Sequence, residues 1–283
     1  MSRQQWSSKS RCGIPQGENN KCSLRDRNLK ITLEYSGRDY AGWQVQSTNP
    51  HTIQQVLQRS LHTILGHKAK VVGSGRTDAG VHAIAQAANF HTHSSIPANN
   101  LRAALNAYLP DDIVIHRVEE VGLDFHAIRN VKSKIYRYLI LNRPYRSGIL
   151  KDRAYFVRFP LDLNLMRRES RCLLGRHDFK AFCCSKSSAK STLRTVKKIS
   201  LKKIPAHLFW GSSGKGVTSI IVIDIEADGF LYNMVRSIAG TLIDIGRGRF
   251  PPGSLRKILL SRDRRSAGMS TPACGLYLLK VKY

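Results

Sequence analysis

The chain has 283 residues, 42% of them hydrophobic, which suits one large domain or two ordinary ones around a sizeable core. Its 46 Lys and Arg against 19 Asp and Glu give a formal net charge of +27, which makes nucleic acid the first partner class and an anionic membrane surface the second. No stretch approaches the ~20 apolar residues of a spanning helix, no apolar run opens the chain as a secretory signal, and the six cysteines (12, 22, 172, 183, 184 and 274) include no CxxC pair, so a disulfide framework and a zinc spacing are both excluded and a reducing, cytoplasmic setting fits.

Residues 1–28 are polar and basic, show no period, and read as a disordered extension. They suit a flexible arm for phosphates, an organelle transit segment, or a tail without a role. Leu29, Ile31, Leu33 and Tyr35 alternate with polar residues and predict a half-buried strand. A helix follows, with Thr52 and Gln55 as a capping box, an apolar face from Ile53 to Leu65, and Gly66 as its stop. Strands are predicted over 69–72 and 82–91, a helix over 101–109 ended by Pro110, and a strand over 113–118.

The second half repeats that order. A strand is predicted over 135–141, with Tyr136 and Tyr138 on one face, then a helix from Leu165 to Leu173 stopped at Gly175. Strands over 193–201 and 218–226 follow, then a strong helix from Leu231 to Ile245, and a closing strand over 276–281. Gly211 to Gly216 lacks the spacing of a phosphate loop and reads as a hairpin turn. Each half is therefore β-α-β-β-α-β. The expected architecture is α+β, two tandem ferredoxin-like halves joined in one mostly antiparallel sheet, with helices on one face and an RNA-binding cleft. The boundaries are 1–28 for the extension, 29–130 for the first half and 131–283 for the second.

Gly73-Ser74-Gly75-Arg76-Thr77-Asp78-Ala79-Gly80 lies between two predicted strands, and its glycines allow a sharp turn. Arg76 and Asp78 are two apart, so an extended backbone points them the same way. On pattern alone the stretch also fits an ordinary turn in which Asp78 bonds its own backbone.

The stretch Gly75 to Ala83 resembles the signature of the TruA family of tRNA pseudouridine synthases. Tyr40-Ala41-Gly42-Trp43-Gln44-Val45-Gln46, Leu109-Pro110-Asp111-Asp112-Ile113, Asp124-Phe125-His126-Ala127, Lys134-Ile135-Tyr136-Arg137-Tyr138, Phe230 to Leu242, and Gly275-Leu276-Tyr277-Leu278 resemble its other motifs, in order. The resemblance runs from about residue 29 to the end and agrees with the doubled element order.

The resemblance implies conversion of uridine to pseudouridine in the anticodon stem-loop of tRNA, at positions 38, 39 and 40. No atoms are gained or lost, so it implies no cofactor and no metal. It makes Asp78 the catalytic carboxylate and Arg236 its partner, and a carboxylate beside arginines is expected to be held charged. Arg76 matches the arginine that fills the space left by the flipped uridine, Tyr136 the tyrosine that packs on the base, and Leu276 an apolar residue flooring the pocket. The resemblance also implies a homodimer. The extension and the loop from Cys183 to Ser191 depart from the family pattern. A non-catalytic RNA-binding protein on the same scaffold would not need Asp78, and an RNA methyltransferase would need a nucleotide-type glycine loop that is absent.

Overall fold

The computed structural model describes residues 26–47, 49, 51–184, 190–205 and 219–283. The hairpin turn expected at 211–216 and most of the expected N-terminal extension lie outside the described residues. The strands are β1 (Arg27–Tyr35), β2 (Val72–Gly73), β3 (His82–Thr92), β4 (Ile113–Val121), β5 (Ser133–Asn142), β6 (Tyr155–Val157), β7 (Gly175–Asp178), β8 (Leu193–Pro205), β9 (Ser219–Ala227) and β10 (Leu276–Lys282). The helices are α1 (Ile53–Leu65), α2 (Ala98–Tyr108), α3 (Leu163–Ser170), α4 (Met234–Gly246) and α5 (Ser254–Ser261). None is long and apolar enough to cross a membrane, among the described residues.

One large sheet runs β4-β1-β3-β10-β5-β9-β8-β7, with β2 on β3 and β6 on β5. Its ladders are antiparallel except β10 on β3 and β6 on β5. The fold is thus mixed α+β on a mostly antiparallel sheet. The β10–β3 ladder joins the early and late parts of the chain, pairing Tyr277 with His82 and Leu278 with Ala83. On its other side β10 pairs with β5, opposing Leu276 to Tyr138 and Leu278 to Tyr136. The closing strand therefore lies between the strand that follows the Asp78 turn and the strand that carries Tyr136.

Local signals account for most elements. Thr52 Oγ1 accepts from the Gln55 amide at 3.3 Å, and Gly66 closes α1 at φ +74°. Strand β9 carries a continuous apolar run, Ile220 to Ile223, because both its faces are covered there. Ile221, Ile223 and Ile225 join the main core with Met234, Ile238 and Leu242 of α4. Ile220 and Val222 pack on a separate cluster with Leu141 and Ala154.

Some boundaries differ from expectation. Strand β1 starts at Arg27, because Asn28 is fully buried and its amide donates to Gly122 O at 3.0 Å and Phe125 O at 2.8 Å. The strand expected over 69–72 is reduced to Val72–Gly73, since Ala69 and Val71 enter the core without joining the ladder. Helix α3 stops at Ser170 and a 3₁₀ turn takes Arg171–Leu173. Strands β6 and β7 and helix α5 were not expected from the sequence; α5 buries Leu255, Ile258 and Leu259 at helical spacing.

Candidate active site

The β2–β3 connection carries Asp78 and is held from several sides. Trp43 N donates to Thr77 O at 3.0 Å, and Tyr35 and Thr77 share a hydroxyl hydrogen bond of 2.7 Å. Gln86 Nε2 donates to Gly75 O at 3.0 Å. Gly42 adopts φ +99°, and a β-carbon there would come within 2.5 Å of Thr77 O. Only glycine allows that backbone-to-backbone approach. The Tyr40–Gln46 motif is therefore a buttress of the Asp78 turn, a role that its spacing did not reveal.

From the late part of the chain, Arg236 Nη1 stands 3.6 Å from Asp78 Oδ2. The guanidinium is itself fixed, since Nε donates to Thr271 O at 2.7 Å and Nη1 to Asn233 Oδ1 at 2.8 Å. Asn233 sits at the N-terminus of α4 with φ +62°, an uncommon conformation for a non-glycine residue. Its side chain holds Arg236 instead of capping the helix. The Asp78–Arg236 pair is an ion pair longer than a hydrogen bond, so the carboxylate keeps acceptor capacity for another group.

A cavity of about 710 Å³ opens beside this pair. Asp78, Arg76, Tyr136 and Leu276 all line it, together with Phe230, Lys134 and residues 231–235 at the start of α4. The structure thus brings four of the five expected site residues to one cavity, and the fifth, Arg236, pairs with Asp78. Tyr136 is nearly buried, and its ring meets Phe230 edge-on at a centroid distance of 4.8 Å. Arg76 is exposed and pairs with no carboxylate among the described residues. Leu276 is 6% exposed and belongs to the core as well as to the cavity.

The electrostatics differ from expectation in one respect. Burial pushes the Asp78 carboxyl above its ordinary range, and the charge of Arg236 offsets part of that shift. Desolvation by burial is the larger influence, and it outweighs the guanidinium that stands 3.6 Å away. Burial also raises the Tyr136 hydroxyl far above the usual phenol range. Three groups at one cavity with perturbed titration, Asp78, Lys134 and Tyr136, and an exposed cation that pairs with no carboxylate among the described residues, mark a candidate chemical site.

Several arginines of the second half of the sequence are engaged away from the cavity. Arg249 pairs with Asp244 at 3.2 Å, Arg262 with Asp178 at 3.2 Å and Arg265 with Asp263 at 3.1 Å. Arg143 folds back on its own loop, donating to Tyr145 O at 2.7 Å.

Comparison with known proteins gives a consistent result. The family model described as tRNA pseudouridine synthase matches residues 31–128 and 170–283. Asp78, Arg76, Arg236 and Leu276 fall within the match, and Tyr136 falls between its two parts. The chain is 44% identical over 257 residues to a tRNA pseudouridine synthase A of Acetivibrio thermocellus, covering 91% of this chain and 100% of that protein. One from Pelobacter propionicus gives the same identity and coverage. A tRNA pseudouridine synthase A 2 of Clostridium tetani is 43% identical over 258 residues, covering 91% of this chain and 99% of that one.

Proposed function

Because this chain belongs to the family of tRNA pseudouridine synthases, which isomerise uridine in tRNA, we propose that it modifies the anticodon stem-loop, at positions 38, 39 and 40, with Asp78 as its catalytic residue. The observation that carries this reading is that Asp78 lines the cavity of about 710 Å³ together with Tyr136 and Leu276, and is paired with Arg236. The cavity has the size of a small-ligand site.

In the reaction the N1–C1′ bond of uridine breaks, the base turns, and a C5–C1′ bond forms. The proton lost from C5 is balanced by one gained at N1, so no cofactor is needed. Asp78 acts, ionised, at the ribose of the bound nucleotide. Arg236 holds the carboxylate in place and opposes its protonation. A paired uridine must first leave the stack, at a cost of a few kcal/mol. Arg76, exposed and with no carboxylate partner among the described residues, fills the vacated space. The Tyr136 ring, braced by Phe230, packs on the flipped base, and Leu276 floors the pocket.

The same reading divides the chain into an extension over 1–28, a half over 29–130 carrying Asp78, and a half over 131–283 carrying Tyr136 and Arg236. We read the halves as ferredoxin-like, which the β4-β1-β3-β2 and β10-β5-β9-β8 neighbour orders support. A homodimer is proposed on family resemblance, and sedimentation at micromolar concentration tests it. A cytoplasmic setting is supported by Cys172, Cys183, Cys184 and Cys274, all free thiols.

The test is incubation with unmodified tRNA followed by pseudouridine mapping. Product at positions 38, 39 or 40 is expected. Product confined to another arm of the tRNA would contradict the anticodon assignment, and no product at all would contradict the catalytic reading.

A further inference from the structure

Two cations reach from the second half to the Asp78 turn, and the function proposed above uses only one. Arg236 meets the turn at Asp78 itself. Lys134 meets it four residues earlier, where its Nζ donates to Ser74 O at 2.7 Å. Lys134 lies on β5 two residues before Tyr136, and so on the same face, and it lines the same cavity. A β-carbon on Gly75 would lie 2.5 Å from Nζ, so the glycine leaves room for the amine.

Keeping a cation there is costly. Burial pushes the Lys134 ammonium down to about 8, and the nearby Arg194 charge adds to the shift. Strand β5 could carry an apolar residue at this position without such a cost. The backbone carbonyl of Ser74 is a weak reason to retain a charge, unless the position of the following residues matters. Those residues are Gly75 and Arg76, the limb of the turn that carries the exposed guanidinium.

We propose that Lys134 is a positioning residue that fixes the Ser74–Gly75 backbone and thereby sets the place of Arg76 at the cavity rim. The inference rests on the reading of Arg76 as a group that acts on the substrate. Arg236 and Lys134 then divide the turn between them, one holding the reacting carboxylate and the other holding the rim arginine.

A double-mutant cycle tests this, because residues acting through one another are not additive. Single-turnover pseudouridine formation would be followed in the wild type, Lys134→Met, Arg76→Ala and the double variant. The substrate is an anticodon stem-loop with a paired target uridine. Lys134→Met is expected to slow the wild type by about tenfold, an effect of ~1.4 kcal/mol. In the Arg76→Ala background the same change is expected to cost less than about twofold, because nothing is left to position. Lys134→Arg, which keeps a cationic donor, is expected to stay closer to the wild type than Lys134→Met. Equal losses in both backgrounds, or no loss in the wild type, would overturn the proposal. Lys134→Gln gives the same cycle should the methionine variant melt below the assay temperature. The Arg76 reading is judged separately, by whether Arg76→Ala slows a paired target uridine more than a mismatched one.

Discussion

Arg236 and Asp78 face each other at 3.6 Å across the junction of the early and late parts of the chain. The contact requires that β10 dock on β3, because that ladder brings the two parts side by side. Burial raises the Asp78 carboxyl and Arg236 lowers it. On the proposed reading Asp78 works ionised, so activity is expected to fall as pH drops through its titration. Arg236→Met removes the lowering influence, and the acid limb of the single-turnover rate profile is expected to move to higher pH. An acid limb unmoved or shifted down would show that Arg236 does not govern Asp78.

The same shift has the opposite sign for stability. A carboxyl whose folded pKa is raised contributes stability below its unfolded pKa and loses it as pH rises through the folded value. At neutral pH the ionised Asp78 therefore costs stability. Asp78→Asn is expected to melt above the wild type at neutral pH, with the difference shrinking in acid; calorimetry across pH measures it.

Tyr136 offers a ring braced by Phe230 and a hydroxyl that burial keeps protonated. Tyr136→Ala removes the stacking surface, worth ~1–3 kcal/mol per base. Tyr136→Phe keeps the ring and is expected to retain most affinity for a stem-loop while losing rate. Equal affinity losses in both variants would show that the ring does not carry binding.

Gly42 brings the buttress against the Asp78 turn, at φ +99° with no room for a β-carbon beside Thr77 O. Gly42→Ala adds strain on the order of 1–3 kcal/mol. The variant is expected to melt lower and to lose rate more than tRNA affinity, since the strain falls on the Asp78 turn. Kinetics and melting measured together would reveal a Gly42→Ala protein of unchanged rate, which would remove the buttress role.

With a net charge of +27, tRNA affinity should fall steeply with salt. Each phosphate contact contributes about −0.7 to −0.9 to the slope of log affinity against log salt. Anisotropy titrations over a salt series measure the slope, and a flat response would contradict a phosphate-dominated interface.

Elements with a local signature were legible in the sequence. The alternation of Leu29, Ile31, Leu33 and Tyr35 marked β1, and Thr52 with Gly66 marked both ends of α1. Strand β7 was not legible, because Gly175–Asp178 carries no alternating apolar residues and lies at the edge of the sheet. The boundary at Asn28 was misjudged because a polar residue satisfied by buried hydrogen bonds looks like a solvated one.

At the site, pattern reading alone left Asp78 an ordinary turn residue, and the signature Gly75 to Ala83 singled it out. What stayed hidden depended on tertiary burial. The raised Asp78 carboxyl is one case, since charge near it suggested the reverse. Lys134 is another, because a lysine on a strand reads as a solvent-facing residue until its burial is known.

Asp78 is proposed to carry the chemistry. Pseudouridine formation by Asp78→Asn, measured in single turnover on an unmodified anticodon stem-loop with binding followed in parallel, tests it most directly. The rate is expected to fall by at least ~10³-fold while affinity stays within about threefold of the wild type. A variant that forms pseudouridine at the wild-type rate would contradict the account.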